Sequence, residues 1–292
     1  MKAAPFEYVA ARSLDEATAA LAEHGDDAKV LAGGQSLVPM MAFRLATPGV
    51  LVDLNGIPGL DYVRADGDVL EVGALGRHVS VEHLSGLRER CPAVTEAVRM
   101  IGHVAIRNRG TVAGSLAHAD PAAEWPALAL ALDAEVEVLG ARGTRTIDAG
   151  SLFISFFTTA LDPDEIITRV RFSLPAGERV GSAFVELSRR HGDFAIAGAA
   201  AALRVDANGT VDDARVVLMG VHEVPVRATS AESVLRGSTA SEGVIAEAAS
   251  AVDGHIEPVS DLHASSEYRR HIAQVLTGRA LRQACDRAGV AV

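Results

Sequence analysis

The sequence predicts an α+β protein, a mixed helix–strand region to about residue 175 followed by an antiparallel sheet with C-terminal helices. Helix-like and strand-like segments are interspersed through the first part. Composition then shifts at Leu174-Pro175-Ala176-Gly177-Glu178, a boundary between a domain 1–175 and a domain 176–292. Beyond it, three strand candidates precede two helical stretches. With 292 residues and 49% hydrophobic content, the chain is long and apolar enough for two packed domains.

Ser13-Leu14-Asp15-Glu16 reads as a capping box that starts a helix to about Glu23, stopped by Gly25. Lys29–Ala32 is a short buried strand, and Gly33-Gly34-Gln35-Ser36 follows at once. A helix-like pattern then runs through Leu37, Met40, Met41 and Leu45. Val50–Leu54 is a further strand, and Asp61–Arg64 and Val69–Val72 form a hairpin about Ala65–Asp68. Ser80 caps a helix to about Arg90, and Pro92 opens another through Ile101. Asp120-Pro121 reads as a helix start with Asp120 at the N-cap, the helix running through Leu132. Ala134–Leu139 and Arg145–Asp148 are strands. Phe184–Leu187, Ala195–Val205 and Val211–Met219 form the second domain's sheet, with Asn208-Gly209 as a tight hairpin. Ser241–Val252 and Ser265–Arg287 are the closing helices.

Composition excludes several classes. A net charge of −11 repels a phosphate backbone, and 4% aromatic content offers little for base stacking, so nucleic acid is not expected as a partner. Cys91 and Cys285 are the only cysteines, so the chain cannot supply four thiolates to an iron–sulfur cluster; any such centre belongs to another chain. The N-terminal residues lack the apolar core of a signal peptide. The longest apolar run, Phe194–Leu203, falls well short of the roughly 20 residues that span a bilayer. A cytoplasmic protein, not an integral membrane protein, is expected.

Two segments carry the chemistry. Ala32-Gly33-Gly34-Gln35-Ser36 places a glycine pair between strand and helix, where backbone N–H groups converge without side chains in the way. Ser36 adds a hydroxyl, and the helix that follows adds its dipole. Gly110-Thr111-Val112-Ala113-Gly114-Ser115 offers small residues and two hydroxyls after Ile106-Arg107-Asn108-Arg109. Each segment, taken alone, is weak evidence for phosphate binding and reads first as an ordinary turn. The Rossmann Gly-x-Gly-x-x-Gly and the phosphate-loop Gly-Lys-Ser/Thr are absent, so a dinucleotide would be held by a different fold.

Together with Asp120-Pro121-Ala122-Ala123-Glu124, Leu161-Asp162-Pro163-Asp164-Glu165-Ile166-Ile167 and Ser188-Arg189-Arg190-His191-Gly192-Asp193-Phe194-Ala195, these loops resemble the medium, flavin-binding subunits of molybdenum hydroxylases, the xanthine dehydrogenase and carbon monoxide dehydrogenase family. The resemblance implies a two-part FAD-binding domain of the vanillyl-alcohol-oxidase (PCMH) type, then a smaller C-terminal domain with a three-stranded antiparallel sheet and helices. It implies FAD in this chain, a molybdopterin cofactor on a large partner subunit and 2Fe–2S clusters on a small one, the whole a dimer of heterotrimers. Electrons would pass from the clusters to FAD and on to an external acceptor.

The resemblance also places residues. Lys29, Val30, Leu31, Ala32, Gly33, Gly34, Gln35, Ser36 and Leu37, with Gly110, Thr111, Ala113, Gly114 and Ser115, would hold the pyrophosphate and adenosine. Ile101 and His118 belong to the same site. Asp120 and Glu124 would lie along the ribityl or flavin side, and Leu161 would offer backbone contacts near the isoalloxazine. Phe194 stands where relatives often have a Tyr that covers the ring. Two further departures are Ala113, in place of a Gly and tolerable if its φ is negative, and Glu186, where many relatives have a Lys. A missing cation there would lower the flavin potential. No general base and no metal site are expected in this chain. His24, His78, His83, His103, His191 and His222 lack ligand spacing and read as surface or core-edge residues. A stand-alone flavoenzyme of the same fold and a scaffold that has lost its cofactor remain alternative readings.

Overall fold

Ser13 opens the first helix, Leu14–His24, its hydroxyl accepting from the Glu16 N–H at 3.1 Å. Glu16 reaches back to the Arg12 N–H at 2.7 Å, one residue further than a capping box requires, and Gly25 closes the helix with φ +52°. The structure, a computed structural model, describes residues 2–290 and 292. The helix covers a parallel three-stranded sheet in which Val50–Asp53 lies between Glu7–Ala10 and Ala28–Leu31. Val50, Val52, Ala17 and Leu21 form a small core there.

The second part of the N-terminal region is an antiparallel five-stranded sheet, Val63–Asp66, Val69–Gly73, Ile166–Ser173, Glu135–Gly140 and Gly143–Asp148 in that spatial order. Helices Pro92–Met100 and Glu124–Ala131 pack on it. The latter is apolar nearly all round because it is wrapped on every side; Trp125 is fully buried with its ring centroid 5.4 Å from that of Phe172. Truncating such a side chain to Ala typically costs about 3–5 kcal/mol.

The C-terminal sheet runs Val180–Ser188, Ala195–Val205, Val211–Met219, with the two-residue edge strand Val226-Arg227 added to the three that the sequence predicts. Both faces are covered. Phe184, Ala200, Val217 and Met219 join the first core, whereas Ala183, Ala199, Ala201 and Leu218 join a second under the helices Thr229–Leu235, Glu242–Ala251 and Ser266–Arg287. The alanine-rich central strand suits this, because small side chains let both layers approach closely. No helix among the described residues is long and apolar enough to cross a membrane.

Four local expectations are corrected. Ser80 lies inside the short helix His78–Glu82, entered through an extended Arg77, and Leu87–Arg90 is a separate helix. Asp120 does not cap the next helix: its carboxylate takes the Ala122 N–H at 2.9 Å in a turn, and the helix starts at Glu124 after an extended Ala123. Leu45 falls beyond the helix Leu37–Ala42 and is exposed. Asn208-Gly209 sits in a longer connection, Asp206 to Thr210, in which the Asp206 carboxylate takes the Asn208 and Thr210 N–H groups. A two-residue type I′ turn needs positive φ at both central residues, and only Gly209 has it.

Candidate functional site

The strand Ala28–Leu31 delivers the chain to Gly33 and Gly34 at its C-terminal end, at one wall of a cavity of about 680 Å³. Gly34 has φ +70°, which a side chain would strain. The Gln35 amide donates to Gly33 O at 3.0 Å and pins the loop onto itself. Ser36 precedes the helix without making a side-chain cap bond, so its hydroxyl is left for other work.

The second loop is stitched to the segment Gly76–His78. His78 N–H donates to Gly110 O at 3.1 Å, and Val112 N–H to Gly76 O at 3.1 Å. Thr111 then caps the helix Val112–His118, its hydroxyl accepting from Gly114 N–H at 3.1 Å. A Cβ built on Gly33 would stand 2.5 Å from Arg109 O, 2.8 Å from Gly110 Cα and 3.1 Å from Thr111 N. The two glycine segments are therefore in backbone contact.

A network that the sequence reading missed ties them together. Asn55 Nδ2 donates to Ala32 O at 2.9 Å, and Asn55 Oδ1 accepts from the Arg77 guanidinium at 2.6 Å. Arg77 donates with its other terminal nitrogen to Arg109 O. One amide and one guanidinium thus bridge the carbonyls flanking the two loops. Asp53 holds Asn55 in turn, accepting its backbone N–H at 2.9 Å. The Arg107 guanidinium is committed to structure, pairing with Glu82 at 2.9 Å and binding Ile101 O and Gly102 O.

The cavity is lined by Lys29, Val30, Leu31, Ala32, Gly33, Gly34, Gln35, Ser36, Leu37, Ile101, Gly110, Thr111, Gly114, Ser115, His118, Asp120, Glu124, Leu161 and Phe194. Of the residues assigned to the site from sequence, only Ala113 lies elsewhere: its side chain is packed in the first core. It is not among the residues of positive φ, so its methyl group sits without strain in the first turn of a helix. Its side chain is therefore not available to a ligand in that cavity.

At the far end, His118 packs against Phe157 with centroids 5.1 Å apart, and burial lowers its pKa. Leu161 N–H makes a long bond to Thr159 Oγ1 at 3.4 Å. Phe194 is 76% exposed at the rim. Glu124, at the N-terminus of its helix, has its carboxyl pushed well above the usual range by burial and by the facing Glu186. Glu186 does not line the cavity; burial raises it to about 7, and neither of its carboxyl oxygens has a partner among the described residues. Glu124 thus stands at this end of the site as a buried, titratable carboxyl. A second cavity, of about 550 Å³, shares Asp120, Gly192, Asp193 and Phe194 with the first.

The residues fit a dinucleotide diphosphate. Two side-chain-free backbone segments touch at the cavity wall, hydroxyl-bearing Ser36, Thr111 and Ser115 line the cavity with them, and apolar Leu31, Ile101 and Ile106 line it as well.

Residues 4–175 match the family described as the FAD binding domain in molybdopterin dehydrogenase, and residues 182–284 match the CO dehydrogenase flavoprotein C-terminal domain. The alpha subunit of the 6-hydroxypseudooxynicotine dehydrogenase complex of Paenarthrobacter nicotinovorans is 43% identical, the alignment covering 99% of this chain and 97% of that one. The carbon monoxide dehydrogenase medium chain of Hydrogenophaga pseudoflava is 36% identical over 97% of this chain and 98% of its own. Among solved structures, carbon monoxide dehydrogenase from H. pseudoflava superposes with a TM-score of 0.94 at 36% identity, covering 98% of this chain and 99% of that chain. The chain belongs to the molybdopterin-dehydrogenase FAD-binding family, as a medium subunit of the molybdenum hydroxylases.

Proposed function

We propose that this chain binds FAD between its two glycine loops and relays electrons from the 2Fe–2S clusters of a small partner subunit to an external acceptor. A large partner subunit would carry the molybdopterin cofactor, and the assembly would be a cytoplasmic dimer of heterotrimers. The observation that carries this reading is the backbone contact between Gly33 and Gly110 at the wall of the cavity.

FAD supplies redox chemistry when bound; the chain's residues bind it, orient it and set its surroundings. In this reading the Lys29–Leu37 and Gly110–Ser115 segments hold the diphosphate and adenosine. Thr111 and Ser115 donate hydroxyls, and the Arg77–Asn55 bridge keeps the loops at a fixed separation. His118, Asp120, Glu124 and Leu161 border the ring end, and Phe194 shields it from water. The second cavity, meeting the first at Asp120 and Phe194, supports approach of an acceptor to that end.

The substrate oxidised by the complex would be selected on the large subunit rather than here. Anaerobic addition of that substrate to the purified complex should bleach the flavin absorbance. A colourless complex with intact clusters would sink the reading. Size-exclusion chromatography with light scattering of the co-expressed subunits tests the dimer of heterotrimers, and three chains in single copy would refute that part alone.

A further inference from the structure

His78 has no ligand spacing in the sequence, yet its side chain is built into the wall of the cavity. It is 5% exposed and opens on the cavity beside the second glycine loop. Trp125 Nε1–H donates to its Nδ1 at 3.0 Å, with the two rings stacked at 6.2 Å and 20°. An indole nitrogen can only donate, so Nδ1 must present its lone pair, and the proton of the neutral ring must sit on Nε2. Burial, with the nearby Arg107 and Arg77 charges, pushes the imidazole down to about 3, so the ring is neutral at every ordinary pH.

The Nε2 edge faces Gly110: a Cβ there would stand 2.6 Å from Nε2 and 2.7 Å from Cδ2. No protein acceptor takes Nε2 among the described residues, and it is not one of the unpartnered side-chain atoms sealed from solvent, so this nitrogen is left to the cavity that His78 lines. The lining also lacks positive charge. Lys29 is its one cationic side chain among the described residues, beside Asp26, Asp120, Glu124, Asp162, Glu165 and Asp193. A diphosphate in such a cavity must be met mainly by neutral N–H and O–H donors.

We propose that His78, locked by Trp125 into the Nε2–H tautomer, donates a hydrogen bond to an anionic oxygen of the diphosphate held between the glycine loops. This rests on the flavin-dinucleotide reading above and adds a binding residue to it. Gly110 is then glycine for a second reason: it leaves room for the imidazole edge as well as for the ligand. Trp125 acts through His78, as a positioning residue that fixes where the proton is.

Side-chain 15N NMR of the full chain, with and without FAD, tests this together with FAD titrations of His78→Phe and Trp125→Phe. Wild type should show protonated Nε2 and bare Nδ1 unchanged across about pH 5.5–8.5, against an ordinary imidazole value of about 6.5. Its Nε2–H proton should move downfield on adding FAD. His78→Phe keeps a ring against Trp125 and should weaken FAD binding about 10- to 100-fold, the range for losing a hydrogen bond to a charged acceptor. Trp125→Phe keeps the packing, frees the tautomer and should weaken binding less. The opposite tautomer, an ordinary titration, or a folded His78→Phe chain that binds FAD like wild type would each overturn the proposal. If the variant does not fold, a wild-type Nε2–H signal unmoved by FAD overturns it instead. Failure of wild type to bind FAD at all overturns the flavin reading, and this proposal with it, whereas an unaffected His78→Phe leaves the flavin reading standing.

Discussion

Gly33 and Gly110 are packed backbone to backbone: a Cβ on the first would come within 2.8 Å of the Cα of the second. The neighbours it would strike are main-chain atoms, which cannot swing aside as a side chain can. Gly33→Ala should therefore separate the loops and abolish retention of FAD while leaving far-UV circular dichroism unchanged. The check is flavin absorbance per chain after dialysis, and full occupancy in the variant would show that the two loops do not act as one clamp.

Asn55 and Arg77 hold that contact from outside, bridging Ala32 O to Arg109 O. Asn55→Ala removes an acceptor from Arg77 and a donor from Ala32 O at once. A loss of about 1–3 kcal/mol in stability is expected, with FAD binding weakened about tenfold or more. Urea denaturation and flavin fluorescence titration measure the two effects, and an unchanged dissociation constant would show that the bridge does not set the loop separation.

Glu186 is the buried acid whose ionisation the fold opposes. Its folded pKa of about 7 lies above the ordinary 4.5, so the folded state holds more protons than the unfolded state between those values. Stability is therefore greatest below about pH 4.5 as far as this group is concerned, and declines as pH rises toward 7. Glu124, held well above the usual carboxylate range by burial and by Glu186, adds to the same decline. Glu186→Gln should flatten this slope and raise stability near pH 8 by about 1–3 kcal/mol relative to wild type. Thermal melts from pH 5 to 8 decide it; parallel curves for the two proteins would mean the carboxyl is solvated.

Gly181 faces the terminal helix with no space to spare, a Cβ there falling 1.8 Å from Ala284 O. Gly181→Ala should force the helix Ser266–Arg287 off the sheet and cost about 3 kcal/mol or more. Below its melting temperature the variant should still retain flavin, because the cavity is lined from elsewhere. Loss of flavin from the folded variant would contradict that separation.

What could be read from the sequence is what local chemistry writes there. Ser13, Ser241 and Ser265 announce helices because a hydroxyl at an N-cap needs only residues three positions away. The glycine loops are visible for the same reason, and their order along the chain made them recognisable as a pair. Asp120-Pro121 misled because an aspartate that takes an N–H two residues on looks, in sequence, like one that caps a helix. The Arg77–Asn55 bridge joins groups 22 and 32 residues apart, and the Trp125–His78 bond spans 47. No spacing rule encodes such pairs, since they are products of how the sheets are laid together. His78 looked idle for that reason alone.

The first core does not stop where the first family match ends. Phe184, Ala195, Ala200, Val217 and Met219 pack into it beside Trp125, from strands that lie beyond residue 175. A chain cut at that point would present an unroofed greasy face to water and would be expected to clump rather than stand as a miniature flavoprotein. The two segments should melt in one cooperative step, so damage in the tail should lower the temperature at which colour is lost without removing it from the folded chain. They share one core: what looks in sequence like a detachable module is half of a common wall.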